Sequence, residues 1–201
     1  MQAERPQLWV FAGPSGAGKS TLVAGRLRDR LPIVTPDVIA VEISRDHPDT
    51  PAIMEAGKIA VKRRLTLLSE LCSFAIETTL SGSSEIRLMR DAANLGYKVN
   101  LVFVGVRSGA ISQGRFAHRV RMGLHYVPPE DILRRYQRSM DNLPVAMGIA
   151  ARTLVIDNTG RGFRLGAGAA GGADGPRGRE AAGVGDESDS GRAAVVRMQA
   201  R

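Results

Sequence analysis

The sequence predicts an α/β fold: a doubly wound parallel sheet of about five strands with helices on both faces. Three observations predict it. Short β-branched and aromatic runs alternate with stretches of helical apolar spacing over residues 8–160. The clearest strand, Val99 to Val104, is almost uninterruptedly apolar, as a parallel strand covered on both faces must be. Between the first strand and the first helix stands Gly13-Pro14-Ser15-Gly16-Ala17-Gly18-Lys19-Ser20, a complete G-x-x-x-x-G-K-[ST] phosphate-binding loop.

The elements follow in order. Leu8 to Ala12 is a short apolar run with Val10, Trp9 and Phe11, which reads as a buried strand. After the loop, Leu22, Val23 and Leu27 fall on one helical face. Strand, glycine loop and helix in that order specify the P-loop NTPase form of the α/β fold. Pro32 to Thr35 is the next strand, stopped by Pro36 so that Asp37 lies at its carboxyl edge. A linker containing His47, Pro48 and Asp49 leads to Thr50-Pro51, a cap followed by proline at the first helical position. The helix runs to Leu71, with Ile53, Met54, Val61, Leu65, Leu68 and Leu71 on its apolar side and Lys58, Lys62, Arg63 and Arg64 on its wetter side. Ser73 to Ile76 is the third strand and delivers Glu77, Thr78 and Thr79 to its carboxyl end. Ser83 or Ser84 caps a helix that Gly96 ends. Two arginine-rich helices follow, from Ser108 to Gly123 and from Pro128 onward, before Thr153 to Ile156 closes the sheet.

Composition sets the limits. The 201 residues are 43% hydrophobic, enough for one good core, read as a single globular domain over residues 1–160. Residues 161–201 hold 10 of the 23 glycines, with mixed charges and no apolar period, and read as a disordered Gly/Ala/Arg-rich tail. Their vocabulary is also that of GC-rich coding sequence read out of frame. A single cysteine, Cys72, excludes an internal disulfide. With no charged-then-apolar leader and no apolar stretch of membrane-spanning length, a cytoplasmic location without membrane contact is expected. The net charge of +8 suits phosphate-bearing ligands, whereas 4% aromatics offer no base-stacking platform, so nucleic acid is not the expected partner.

The chemistry-bearing residues fit phosphoryl transfer, which asks for positioning and charge neutralisation. The glycines of the Gly13 to Thr21 loop let backbone N–H groups turn toward a phosphate chain at a helix N-terminus, Lys19 reaches the terminal phosphates and Ser20 ligates Mg²⁺. Asp37 and Glu77, both at strand ends, are the candidate carboxylates for orienting or deprotonating an acceptor hydroxyl. Arg115 and Arg119, four apart on one helical face with Arg121 nearby, are candidate cations over the transferring phosphate.

These residues resemble the zeta-toxin family of P-loop kinases. The likeness runs through Ala12 to Thr21, Pro36 to Ala40, Ala56-Gly57-Lys58, Phe74 to Gly82, Gly96 to Val99 and Val102 to Gly105. It continues through Arg119-Val120, Gly123, His125, Val127-Pro128, Ile132, Arg134-Arg135-Tyr136, Arg138-Ser139, Asn142-Leu143 and Asp157-Asn158. The resemblance implies an ATP-dependent (or GTP-dependent) kinase, acting in the best-understood members on a hydroxyl of UDP-N-acetylglucosamine. On the matching positions Asp37 becomes the general base, and Glu77, Thr78 and Thr79 hold the acceptor. Lys19, Ser20, Arg115 and Arg119 hold phosphates and Mg²⁺, and a small helical antitoxin is the implied protein partner. A kinase for another small metabolite or a nucleic-acid end, and a nucleotide-binding protein without transfer activity, are the alternative readings.

Overall fold

A computed structural model describes residues 5–26, 31–46, 52–121, 127–160 and 162–165. The elements are β1 (Gln7–Ala12), α1 (Lys19–Arg26), β2 (Ile33–Val34), α2 (Pro36–Asp46), α3 (Ala52–Ser69), β3 (Phe74–Thr78), α4 (Ser84–Asn94), β4 (Lys98–Gly105), α5 (Gly109–Arg121), α6 (Pro129–Ile149), β5 (Arg152–Asp157) and β6 (Arg164–Leu165). The strands form one sheet in the order β2-β3-β1-β4-β5-β6, parallel as far as β5.

Alternation along the strands builds two cores. In β1 and β4, Leu8, Val10, Val99, Leu101 and Phe103 face one way, against α3, α4 and α6. Phe11, Val102 and Val104 face the other, against Leu22 and Val23 of α1 and Ile111 of α5. Helices therefore cover both faces, and β1, flanked by β3 and β4, carries its exit loop to the middle of the carboxyl edge.

Several elements differ from the sequence reading. The sheet does not stop at five parallel strands: β6 pairs antiparallel with β5, Ile156 opposite Leu165, and so continues beyond Gly160. Asp37 lies just past the carboxyl end of β2, and the residues after Pro36, read as leading into a linker, form α2 with Asp37 in its first turn. Thr35 caps that helix, its hydroxyl accepting the Val38 N–H at 3.2 Å, with Pro36 at the first helical position. On α3 the buried stripe is Ala56, Ala60, Arg64 and Leu68, while Val61 and Leu65 are 52% and 54% exposed. Alanines let α3 approach its neighbours closely, so the helix turns its small residues inward and leaves two larger ones in solvent. The helix also ends before Leu71, which takes a left-handed φ of 54°. Gly96, with φ 88°, ends α4 as expected, its N–H and that of Tyr97 donating to the carbonyls of Ala93 and Ala92. The Thr50-Pro51 cap, His125 and residues 166–201 lie outside the described residues.

Candidate phosphate-binding site

The loop leaves β1 under steric constraints that only glycine meets. Gly13 has φ 138°, and a Cβ there would stand 2.0 Å from the Val104 carbonyl oxygen of β4. Gly18 has φ 97°, and its Cβ would stand 2.6 Å from Nδ2 of Asn158. Within the loop the Ala17 N–H donates to the Pro14 carbonyl at 3.2 Å. The Lys19 side chain, 7% exposed, folds back so that Nζ donates to the same carbonyl at 3.0 Å. The ammonium is thus placed over the loop it serves.

Two neighbouring elements brace the loop from outside. Ser112 of α5 donates its hydroxyl to the Ser15 carbonyl, and Asn158, just past β5, donates Nδ2 to the Ala17 carbonyl at 2.8 Å. Arg115 secures that second brace: Nη1 donates to the Asn158 carbonyl at 2.7 Å and Nη2 to the Thr159 carbonyl at 3.2 Å. The Thr159 hydroxyl accepts the Arg107 N–H at 2.9 Å and donates to Asp157, whose carboxylate also takes the Thr159 N–H at 2.8 Å. These bonds hold the Asp157 carboxyl below the usual carboxylate range.

On the other flank, β3 lies beside β1 with Glu77 in register with Phe11. The Ser20 hydroxyl, in the first turn of α1, donates to Glu77 Oε1 at 2.8 Å. The loop and β3 therefore meet at one hydroxyl and one carboxylate. Thr78 accepts the Leu80 N–H on its hydroxyl at 2.9 Å, and Thr79 and Ser81 join hydroxyls at 2.8 Å. Leu80 is buried with φ 56°, a conformation that α6 supports: Asn142 Nδ2 donates to the Leu80 carbonyl at 2.9 Å and towards that of Gly82 at 3.4 Å. Asp37 is exposed at the exit of β2, which lies beside β3.

The structure thus gathers Gly13 to Thr21 and Glu77, and sets Asp37 on the next strand exit along the same sheet edge. Arg115 has its two terminal nitrogens on backbone carbonyls, which makes it a brace of the β5 exit. Arg119 lies one helical turn farther along α5. Sequence reasoning assigned no part to Ser112, Asn158 or Phe163. Asn158 carried the same signal as Asp37 and Glu77, a polar residue at the carboxyl end of a strand, whereas Ser112 and Phe163 carried none.

A glycine loop with Lys19 and Ser20 at the exit of the central parallel strand defines a P-loop NTPase fold. The same architecture occurs in a chain of the PezAT chromosomal toxin–antitoxin system of Streptococcus pneumoniae, with TM-score 0.56 and 17% identity over 79% of this chain and 70% of that one. It occurs also in the AvrRxo1-ORF1:AvrRxo1-ORF2 complex with ATP, with TM-score 0.62 and 15% identity over 80% of this chain and 57% of that one. These likenesses agree in fold with the zeta-toxin resemblance of the motifs. No protein-family model matches the chain. The chain belongs to one family with an uncharacterized protein of Haemophilus influenzae, to which it is 30% identical over 139 residues, 66% of this chain and 99% of the relative. No helix among the described residues is long and apolar enough to cross a membrane.

Proposed function

We propose that this protein is a P-loop kinase that transfers the γ-phosphoryl group of ATP to a hydroxyl of a small acceptor, a nucleotide sugar such as UDP-N-acetylglucosamine being the first candidate. The observation that carries the reading is the bond from Ser20 to Glu77, which sets a carboxylate beside the hydroxyl that closes a complete phosphate loop. The choice of ATP is supported by the ATP present with AvrRxo1. A small antitoxin is the candidate protein partner, since the PezAT likeness is to a toxin–antitoxin system.

The residues then divide the work. N–H groups of the loop from Gly13 to Thr21, in which Pro14 has none to give and that of Ala17 is bonded to the Pro14 carbonyl, together with the Lys19 ammonium hold the β- and γ-phosphates and offset the charge that develops on them. Ser20 and Glu77 are both oxygen donors, the set a hard divalent cation prefers, so they fit Mg²⁺. When bound there, Mg²⁺ supplies charge neutralisation between the phosphates. Thr78 and Thr79 hold the acceptor on the neighbouring strand exit. Asp37 accepts the proton of the acceptor hydroxyl as its oxygen bonds to the γ-phosphorus; the bond from phosphorus to the β-bridging oxygen breaks and ADP leaves. Arg115 acts at one remove, by fixing the β5 exit against the loop, and Arg119 is the candidate cation over the transferred group.

Phosphorus NMR of the protein with Mg-ATP and UDP-N-acetylglucosamine tests this directly. The expected result is a new sugar-phosphate resonance whose rate of appearance falls at least about 100-fold in Asp37→Ala and in Lys19→Ala. Transfer at the wild-type rate in Asp37→Ala removes the general base, and bound ATP with no transfer to any of a panel of hydroxyl acceptors removes the kinase.

A further inference from the structure

Arg64 is a buried charge to which none of these steps gives a task. It lies on the inner stripe of α3 and is 8% exposed. Nη2 donates to the Val34 carbonyl at 3.2 Å, Nη1 stands 3.7 Å from Oε1 of Glu85, and Nε has no hydrogen-bond partner. Burial lowers the guanidinium's pKa and Glu85 raises it again, but an arginine stays cationic at neutral pH. An apolar side chain of similar volume would fill this place without the desolvation cost, so stability alone does not account for the arginine.

Its two contacts join two segments far apart in the chain, one leading to Asp37 and the other following the Thr78–Gly82 loop. Val34 is the last residue of β2, a two-residue strand on the edge of the sheet, paired with β3 at Ile33 and Val34 and through the Pro32 carbonyl, which accepts the Ala75 N–H at 2.8 Å. Thr35 and Asp37 follow at once. Glu85 lies in the first turn of α4, whose N-cap residue Ser83 makes no side-chain capping bond. That helix follows directly on the Thr78–Gly82 loop. A guanidinium is the side chain that can reach both, since its donors diverge from one rigid plane.

We propose that Arg64 is a positioning residue that ties the exit of β2 to the first turn of α4, and so sets Asp37 opposite the loop that carries Thr78 and Thr79. The consequence for transfer rests on the kinase reading; the tie itself does not. Misplacing a base by about an ångström costs up to roughly 100-fold in rate, so the effect falls on turnover and spares nucleotide binding.

The test compares full-length wild type with Arg64→Met and Arg64→Lys by hydrogen exchange and by steady-state kinetics. In Arg64→Met the amides of Val38 and Ile39, bonded to Thr35, and of Arg87, bonded to the Ser83 carbonyl, exchange about tenfold faster, while those of Ala17 and Leu22 in the phosphate loop and α1 keep their rates. In the same variant kcat falls roughly 10- to 100-fold with KM for ATP within about twofold, and Arg64→Lys recovers part of the loss. Uniform acceleration across the molecule, no acceleration at all, or wild-type kcat in Arg64→Met overturns the proposal. If wild type transfers phosphate to no acceptor, the kinase reading fails, and the exchange pattern still decides whether Arg64 ties the two segments.

Discussion

At the scale of single residues, one carboxylate oxygen of Asp157 receives both the hydroxyl and the amide of Thr159, and the exit of β5 keeps its shape through that oxygen. The side-chain bond is the largest cause of its lowered pKa and the amide bond the next; slight burial opposes them, while Arg107 and Arg164 add to the lowering. The sign follows from linkage. Above the ordinary value of 3.8 the carboxyl is ionised in native and unfolded chains alike, and the interaction contributes in full. As pH falls through that value the unfolded chain takes up the proton first; the contribution shrinks and is gone below the native pKa. The melting-temperature difference between wild type and Asp157→Asn is therefore constant from about pH 7 to about pH 5 and closes at lower pH. A gap unchanged down to about pH 2 would remove the role given to this carboxylate. Because the same turn offers its carbonyls to Arg115 and an amide to Ala17, Asp157→Asn also weakens ATP binding at neutral pH.

At the scale of elements, the end of α3 depends on a side chain from beyond α4. The Tyr97 hydroxyl lies 3.0 Å from the carbonyls of Leu67 and Cys72 and 3.3 Å from that of Leu68, and its one proton serves them in turn. Its ring packs edge-on against Phe74, with centroids 6.3 Å apart, and burial pushes the phenol's pKa up. Tyr97→Phe keeps the ring and removes the donor, so it costs about 1–2 kcal/mol in urea unfolding with the m-value unchanged. A loss below about 0.3 kcal/mol would mean that these carbonyls need no donor from Tyr97. This helix end also shows why some boundaries are legible in sequence and others are not. Gly96 marks the end of α4 because a left-handed residue there favours glycine, whereas α3 ends in the same conformation on Leu71 and leaves no such mark. The buried face of α3 was hidden for a related reason: alanines at 56 and 60 carry little hydropathic signal, and Arg64 reads as solvent-facing until Val34 and Glu85 are seen beside it. The loop from Gly13 to Ser20 was legible because its backbone demands glycine at 13 and 18 and the motif fixes Lys19 and Ser20 right after them. The braces from Ser112 and Asn158 were not, because they join positions far apart in the chain through ordinary polar residues.

At the scale of the whole molecule, the candidate site lies along one edge of the sheet, with Asp37 and Glu77 at the exits of β2 and β3, where the proposed acceptor would lie, and the phosphate loop at the exit of β1. The exits of β4 and β5 stand behind that loop, and β6 closes the far side. Phe163, just before β6, belongs to the core beneath α1, and its ring would lie 3.4 Å from a Cβ added at Gly18. The segment past Gly160 thus packs against the loop that would hold the nucleotide. By sequence residues 166–201 carry, beside alanines, only Val184, Val195, Val196 and Met198 as apolar side chains. A chain ending at Leu165 is therefore expected to melt within about 2 °C of the full chain and to bind an ATP analogue with unchanged affinity. A chain ending at Gly160 loses β6 and the Phe163 ring together. Burial of an aromatic side chain is worth about 1.5–3 kcal/mol, and the partly buried Phe163 contributes towards the lower end of that range. The shorter chain should melt several degrees lower and, with Gly18 and Asn158 uncovered, bind the analogue about fivefold or more weakly. Calorimetry and a fluorescence titration on the two truncations separate the outcomes: equal behaviour of both would show that β6 adds nothing to the site, and weakened binding in the longer one would place a contribution in residues 166–201.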